Sequence, residues 1–177
     1  MKDTGMVCLI IGNMISVAQV ICLILSCCAS TREKVYALQF AETALCALVT
    51  VFFGAWSGLT TLLIAMYRNW RTMENRFSLM DMIVTSVLTA VLGVMVNADG
   101  LAGLLPVIAT LQLTAFNYYV EDVRLTKGGL LLNVALWGIY SFCIRNYVGA
   151  FGQMITLVIG LVSLLREGRR SVYSQCG

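Results

Sequence analysis

Residues 32–71 read REKVYALQFAETALCALVTVFFGAWSGLTTLLIAMYRNWR and contain two apolar segments joined by a short connection. The segments Val35–Phe53 and Ser57–Tyr67 are separated only by Gly54-Ala55-Trp56, so they are expected to form an antiparallel pair of helices. Lys and Arg residues precede the first segment and follow the second, at the outer ends of the pair, and they are absent from the turn. Because the outer sides of a hairpin lie at the same end, this pattern predicts two membrane-spanning helices with their basic ends together.

The same alternation of apolar segments and basic connections extends along the whole chain. Seven apolar segments are predicted, and in chain order they are Met6–Cys28, Val35–Phe53, Ser57–Tyr67, Leu79–Asn97, Leu101–Val120, Gly129–Asn146 and Gly149–Leu165. Ten of the twelve Lys and Arg residues fall in the odd-numbered connections and the C-terminal tail, namely Arg32, Lys34, Arg68, Arg71, Arg76, Arg124, Lys127, Arg166, Arg169 and Arg170. The N-terminus and the even-numbered connections hold only Lys2 and Arg145. Since short cytoplasmic loops are enriched in Lys and Arg, this split predicts an external N-terminus and a cytoplasmic C-terminus.

Composition points to the same class of protein. The chain is 59% hydrophobic and 12% charged, whereas about a quarter of the residues of a soluble domain are charged. Seven helices of roughly 20 residues need about 140 residues, which leaves almost nothing for a domain outside the membrane. The net charge of +3 therefore reflects membrane topology. No basic patch is interleaved with aromatic residues, so no nucleic-acid partner is expected.

The chain also repeats itself in outline. The motif Gly54-Ala55-Trp56-Ser57 follows the second segment, and Gly149-Ala150-Phe151-Gly152, 95 residues later, is predicted to separate the sixth and seventh segments in the same way. Helices one to three are therefore expected to resemble helices five to seven, with helix four as a linker. Both units then have the same orientation and are related by an axis along the membrane normal.

The predicted fold class is an all-α integral membrane protein with seven transmembrane helices, built from two parallel three-helix repeats joined by a linker helix. The first unit is residues 1–77 and the linker helix is 78–98. The second unit, with a short cytoplasmic tail, is 99–177.

Several short motifs carry a resemblance to a known family. They are Met66-Tyr67-Arg68-Asn69 in helix three, Leu104-Leu105-Pro106-Val107-Ile108 opening helix five, Trp137-Gly138-Ile139-Tyr140 in helix six, and the glycine-bearing helix Gly149–Arg166. In their order and spacing they resemble the YgjV-like family of bacterial inner-membrane proteins over most of the chain. The three-plus-one-plus-three arrangement is similar to that of sugar transporters of the SWEET type and nicotinamide riboside transporters of the PnuC type.

The resemblance implies a multi-pass protein of the bacterial cytoplasmic membrane, with the lipid bilayer and a small solute as its partners and a homo-oligomer as a compatible assembly. The chain departs from these transporters in helix three, where a polar Asn is typical and this chain reads Thr60-Thr61-Leu62-Leu63. It also has a single proline, Pro106, where the sugar transporters use prolines on four helices. Sugar specificity is therefore not carried over.

Glu42 is the leading candidate for a functional residue. It is placed about two turns inside the second helix, with no Lys or Arg at its depth. An isolated carboxylate in a membrane is costly when ionised, so we expect Glu42 to be neutral, hydrated or bonded to a solute or cation. Trp137 lies 95 residues later. If the two units face each other, the carboxyl and the indole are expected to meet over one central cavity suited to a ring-bearing or cationic solute.

Five further polar residues are predicted to line this cavity: Asn13, Gln39, Thr61, Asn133 and Thr156. Each lies on a polar stripe with i, i+3 or i+4 spacing, which brings its members to one face of a helix. Close packing between helices is the alternative for such residues, because small and hydroxyl side chains let helices approach each other.

The preferred function is a transporter or facilitator of a small organic solute by alternating access between the two units. A non-transporting accessory or regulatory subunit is the alternative. An enzyme is not expected, because the chain has no His and because Lys2, Lys34 and Lys127 all lie outside the predicted spans, which excludes a retinal site. The seven cysteines form no CxxC pair, so neither a metal site nor a cofactor is predicted.

Overall fold

Seven α-helices form in the part of the chain that the structure describes. The structure is a computed structural model that describes the backbone of residues 2–97 and 100–175 and the side chains of residues 10–97 and 100–166. In chain order the helices are α1 (Lys2–Cys28), α2 (Arg32–Phe53), α3 (Trp56–Met73), α4 (Leu79–Met95), α5 (Leu104–Tyr119), α6 (Val123–Cys143) and α7 (Tyr147–Gln175). The seven predicted segments are therefore confirmed as helices. The side chains of Lys2, Arg169 and Arg170, and the predicted boundary at residues 98 and 99, lie outside the described residues.

Six helices form a closed ring, and α4 lies outside it. Going round the ring, α1 packs against α2, α2 against α3, α3 against α5, α5 against α6, α6 against α7, and α7 back against α1. Helix α4 contacts α3 and α5 and covers the seam between them. The helix ends that carry Arg32, Arg71 and Arg124 meet at one end of this ring, called here the basic end. The α2–α3 and α6–α7 turns lie at the opposite end.

The ring is apolar outside and polar inside. Large apolar side chains such as Met14, Leu63, Met80 and Phe151 are more than half exposed on its outer surface. Buried positions instead carry many hydroxyl, amide and charged groups. Three helical stretches are long and apolar enough to cross a membrane, and Leu79–Met95 is a shorter apolar helix; the three are Ile10–Cys28, Arg32–Phe53 and Tyr147–Arg166. Such a distribution is typical of a bundle surrounded by lipid.

Helices α3 and α6 are among those that extend further towards the basic end than the sequence pattern predicted. Helix α3 continues to Met73 and α6 begins at Val123, where Asp122 caps it by accepting from the backbone N–H of Arg124 (2.7 Å). Arg68 and Lys127, both counted as loop cations, therefore lie inside helices and are buried. The prediction failed because it ended each span at the first basic residue, whereas a long basic side chain can be accommodated by polar groups inside a bundle.

The predicted repeat offset of 95 residues is wrong. Gly149 does not end a helix but lies in the first turn of α7. The left-handed residue that follows α6 is Arg145 (φ 63°), and it corresponds to Gly54 (φ 66°) after α2. The helix boundaries instead recur 91 residues apart, as Thr31 and Asp122 at the helix N-caps show. The motif that begins at Gly149 was misleading because Arg145, and not a glycine, adopts the left-handed conformation in the turn between α6 and α7.

Candidate functional site: a polar cavity at the centre of the ring

A small cavity of about 30 Å³ lies at the centre of the ring. Every ring helix contributes to its wall and α4 does not; the lining residues are Leu23, Gln39, Glu42, Thr43, Cys46, Leu62, Ala65, Arg68, Asn69, Thr110, Leu113, Leu130, Asn133, Val134, Trp137 and Gln153. A void of this size holds one or two water molecules. It is therefore a shared space between helices α1–α3 and helices α5–α7.

Glu42 lines this cavity and is held by a neutral partner. Its Oε1 accepts a hydrogen bond from Gln19 Nε2 on α1 (2.8 Å). Its Oε2 lies 3.3 Å from the Thr43 hydroxyl, but that hydroxyl also donates to Gln39 O at the shorter distance of 2.6 Å. Because a hydroxyl has one proton to donate, Oε2 is left with at most a weak, shared bond.

Arg68 lies in the same cavity, so the expectation that no cation shares the depth of Glu42 is wrong. The side chain is only 2% exposed. Its Nη1 donates to Thr110 O (3.1 Å) and Thr114 Oγ1 (3.2 Å), and its Nη2 donates to Asn69 Oδ1 (3.0 Å). All three acceptors are uncharged, so a permanent cation is held at the centre of the ring without a carboxylate in contact.

Asn117 completes the surroundings of Arg68. The amide orientation that satisfies its neighbours places Oδ1 3.1 Å from Arg68 Nε, while Nδ2 donates to Leu113 O (2.9 Å) and Tyr36 Oη (2.7 Å). The reverse orientation leaves the amide facing groups of the wrong polarity, so the first is preferred. Arg32 Nη2 donates to the Asn117 carbonyl from the edge of the bundle (2.7 Å). This network closes the cavity on its basic side.

Two glutamines in the cavity wall have polar atoms without a protein partner. Gln39 is 2% exposed, and neither its Nε2 nor its Oε1 is hydrogen-bonded. Gln153 Oε1 on α7 is also unbonded. A buried amide without partners costs about 1–3 kcal/mol. These groups therefore give the cavity wall donors and acceptors that water or a polar ligand can satisfy.

Trp137 separates the central cavity from a second void of about 10 Å³ nearer the opposite end. The indole is buried and packs edge-to-face on Tyr140, with 5.7 Å between ring centroids. The second void is lined by Gln19, Cys46, Val49, Thr50, Phe53, Trp137, Tyr140, Ser141, Ile144 and Asn146. Only Cys46 and Trp137 line both voids, so these two residues form the boundary between them.

Four of the seven predicted site residues line the central cavity: Gln39, Glu42, Asn133 and Trp137. The structure does not bring the other three, Asn13, Thr61 and Thr156, to its wall. The hydroxyls of Thr61 and Thr156 instead donate to carbonyls of their own helices, Gly58 O (2.9 Å) and Gly152 O (2.8 Å).

Packing between helices explains the position of Thr61. A methyl group added at Gly93 of α4 would lie 3.4 Å from Thr61 Cγ2, so this residue faces α4 on the outside of the ring. Asn13 is half-buried near the opposite end of α1 and lines neither void. Thr61 therefore serves close packing between helices, which was the alternative interpretation of the polar stripes.

The sequence pattern missed Arg68, Asn69 and Gln153. A signal for the first two was present, because Arg68 and Asn69 follow Ala65 at i+3 and i+4 and so continue the polar face of α3. The recurrence of helix boundaries at 91 residues also relates different positions than the predicted offset of 95 does. It pairs Glu42 with Asn133 and Cys46 with Trp137, and all four line the central cavity. No group of three residues able to hold a metal ion occurs among the described side chains.

Comparison with known proteins is consistent with a membrane protein. Neither the curated proteins nor the solved structures include a match to the chain. The model of the Imp-YgjV family, described as a bacterial inner membrane protein, matches residues 10–171, which include almost all of the helix ring. The chain therefore belongs to the Imp-YgjV family of bacterial inner membrane proteins.

Proposed function

We propose that this protein transports or facilitates the passage of a small organic solute across the inner membrane. Residues 1–77 and 99–177 act as two units, joined by a linker helix at 78–98, that rock about the central cavity. The observation that carries the proposal is the cavity itself, because it lies between helices of both units and has unbonded amide groups in its wall. Sites of this kind near the middle of a bundle are typical of transporters built from repeats.

A row of voids leads from the cavity towards the opposite end of the ring. The central cavity and the second void share Cys46 and Trp137, and the second void shares Phe53 and Ile144 with a third void. The third void has a volume of about 250 Å³ and includes the turn residue Gly54. This succession supports a pathway that Trp137 and its neighbour Tyr140 keep closed.

The basic end is closed by hydrogen bonds between the two units. Arg68 of the first unit donates to Thr110 O and Thr114 Oγ1 of the second, and Arg32 donates to Asn117 O. Hydrogen bonds that involve a charged group contribute only about 1.5–3 kcal/mol each after exchange with water. Such a closure is strong enough to hold one state and weak enough to open, as alternating access requires.

The chemistry of the cavity sets limits on the solute. Glu42 and Trp137 favoured a ring-bearing or cationic solute, but Arg68 now adds a positive charge at the same place. A solute that is only cationic is therefore disfavoured. A polar molecule that uses both charged groups and the amides fits better.

Thermal unfolding of the purified protein with a panel of sugars, nucleosides, vitamins, amines and amino acids tests this proposal. A solute that binds the folded state raises its stability by about 2.7 kcal/mol at about 100 times its Kd. We expect a compound that stabilises the parent protein to lose its effect on Trp137→Ala. Trp56→Ala is the matched control, because Trp56 is exposed at the start of α3. Stabilisation that is equal in the two variants would contradict a binding site in the cavity.

The small volume of the cavity favours one alternative, a non-transporting accessory or regulatory subunit. In that case the void of about 30 Å³ contains only structural water. No compound in the panel would then stabilise the protein, and the cavity would stay closed to reagents from both sides of the membrane.

A further inference from the structure

We infer that the solute is a small zwitterion whose anionic group binds Arg68 and whose ammonium group binds Glu42. The inference rests on the proposed function and names its substrate class. The charged side chains that line the central cavity are Glu42 and Arg68, so the formal charges of the wall add up to zero. A neutral wall with two separated charges matches a molecule that carries both signs.

The two charges share a cavity but do not pair with each other. Neither Glu42 nor Arg68 takes part in the ion pairs Arg71–Asp81 (3.2 Å) and Arg76–Glu74 (3.9 Å), which the described side chains form near the end of α3. Opposite charges attract strongly where water is scarce. A structure that holds them apart on neutral partners leaves both charges available to a ligand.

Each charged group also has an atom free to bind. Glu42 Oε2 has only the shared 3.3 Å contact to the Thr43 hydroxyl. Arg68 has five N–H donors, and the second hydrogen of Nη2 finds no acceptor because Nη2 bonds only to Asn69 Oδ1. A carboxylate placed there forms a charge-assisted hydrogen bond, which is about twice as strong as a neutral one.

The remaining wall supplies groups for the body of the solute. The unbonded amide of Gln39 offers two donors and an acceptor, and Gln153 Oε1 offers another acceptor. The indole of Trp137 gives an apolar surface at the other side. Because the closed cavity has room for one or two waters, the two units must separate before a molecule of amino-acid size can enter.

The test uses the twenty common amino acids as zwitterionic probes on purified parent protein. Binding is measured by calorimetry for each amino acid, for its methyl ester, which lacks the carboxylate, and for its N-acetyl derivative, which lacks the ammonium group. We expect at least one amino acid to bind and both of its derivatives to bind at least roughly tenfold more weakly. This comparison needs no variant, so it does not depend on the folding of a mutant.

Variants assign each charge to its residue. We expect Glu42→Gln to weaken binding of the amino acid and to abolish the preference over its N-acetyl derivative. We expect Arg68→Gln to abolish the preference over the methyl ester. Glu121→Gln and Arg76→Gln are the controls, because both residues are exposed, and they should bind like the parent.

Three results overturn the inference: no amino acid binds, a derivative with one charge binds as tightly as the zwitterion, or both cavity variants keep the parental Kd. None of these bears on transport itself. A protein that binds a sugar or a nucleoside instead, and whose cavity opens to each side of the membrane in turn, refutes the zwitterion and leaves the transporter intact.

Discussion

Arg68 is a buried cation that neutral groups hold in place. Its guanidinium joins α3 to α5 through Thr110 O and Thr114 Oγ1 and faces the same cavity as Glu42. The planar fork of an arginine can contact several acceptors at once, which a lysine ammonium on a flexible stem cannot do in the same geometry. The position therefore requires arginine for its shape as well as for its charge.

Arg68→Lys should lower the free energy of unfolding by about 1–3 kcal/mol, because acceptors buried beside the guanidinium lose their donors. The measurement is denaturant unfolding of the purified protein in detergent. Arg76→Lys is the control, because the Arg76 side chain is 71% exposed, and it should change stability by no more than about 0.5 kcal/mol. Equal effects of the two changes would show that the buried network contributes nothing.

At the scale of single residues, four of the seven residues predicted from the sequence line the central cavity. Polar residues in the middle of apolar segments gave Gln39, Glu42 and Asn133, because an amide or carboxyl there must face other helices. Trp137 was predicted from the 95-residue offset, so it lines the cavity although the argument that selected it was wrong. Thr61 failed the same rule, since a hydroxyl can bond to a carbonyl of its own helix and needs no cavity. Arg68 was missed for the opposite reason: a basic residue beside a span was assigned to the loop.

The contact between α1 and α7 depends on a glycine, which has no side chain, at the point where the two helices meet. Gly152 of α7 packs against Val20 of α1, and a methyl group added at Gly152 would collide with the two methyl groups of Val20. At Gly128 of α6, in contrast, an added methyl group meets nothing within 4 Å. The same substitution can therefore be compared at a crowded helix glycine, Gly152, and at an uncrowded one, Gly128.

Gly152→Ala should destabilise the protein by about 1–3 kcal/mol through overpacking. Gly128→Ala should leave stability unchanged or raise it by up to about 1 kcal/mol, because alanine is the better helix former. Thermal unfolding of both variants measures the difference. Adding Val20→Ala to Gly152→Ala should restore part of the loss, and failure to do so would mean that the contact between α1 and α7 is not as described.

For the molecule as a whole, seven helices could be predicted from the sequence, but their internal offset could not. Apolar segments and charge alternation report helices and their order directly. The offset depended on a short glycine motif, whereas the turn after α6 is made by Arg145 in a left-handed conformation. The ring of contacts is compatible with a repeat, because the third helix of each unit packs against the first helix of the other: α3 packs against α5, and α7 packs against α1.

Orientation in the membrane is a prediction of the charge split. A reporter that works only in the cytoplasm should be active when it is fused after Gly177. A reporter that works only outside the cytoplasm should be active when it is inserted between Asn97 and Gly100. The reason is that eight Lys and Arg residues still lie on one side of the predicted topology, against Lys2 and Arg145 on the other, when the buried Arg68 and Lys127 are left out of the count. An external C-terminus would contradict the topology and the order of the units together.

Alternating access to the central cavity is the central claim, and the native thiol of Cys46 tests it most directly because this residue lines both the central cavity and the second void. In a variant whose other six cysteines are replaced by serine, a small membrane-impermeant thiol reagent is added to right-side-out or inverted vesicles. We predict that Cys46 reacts from either face. Tyr36→Phe, which removes the hydroxyl that contacts Asn117 at the basic end, should speed the reaction from that face and slow it from the other. No reaction from either face, or a rate that rises equally from both, would contradict alternating access.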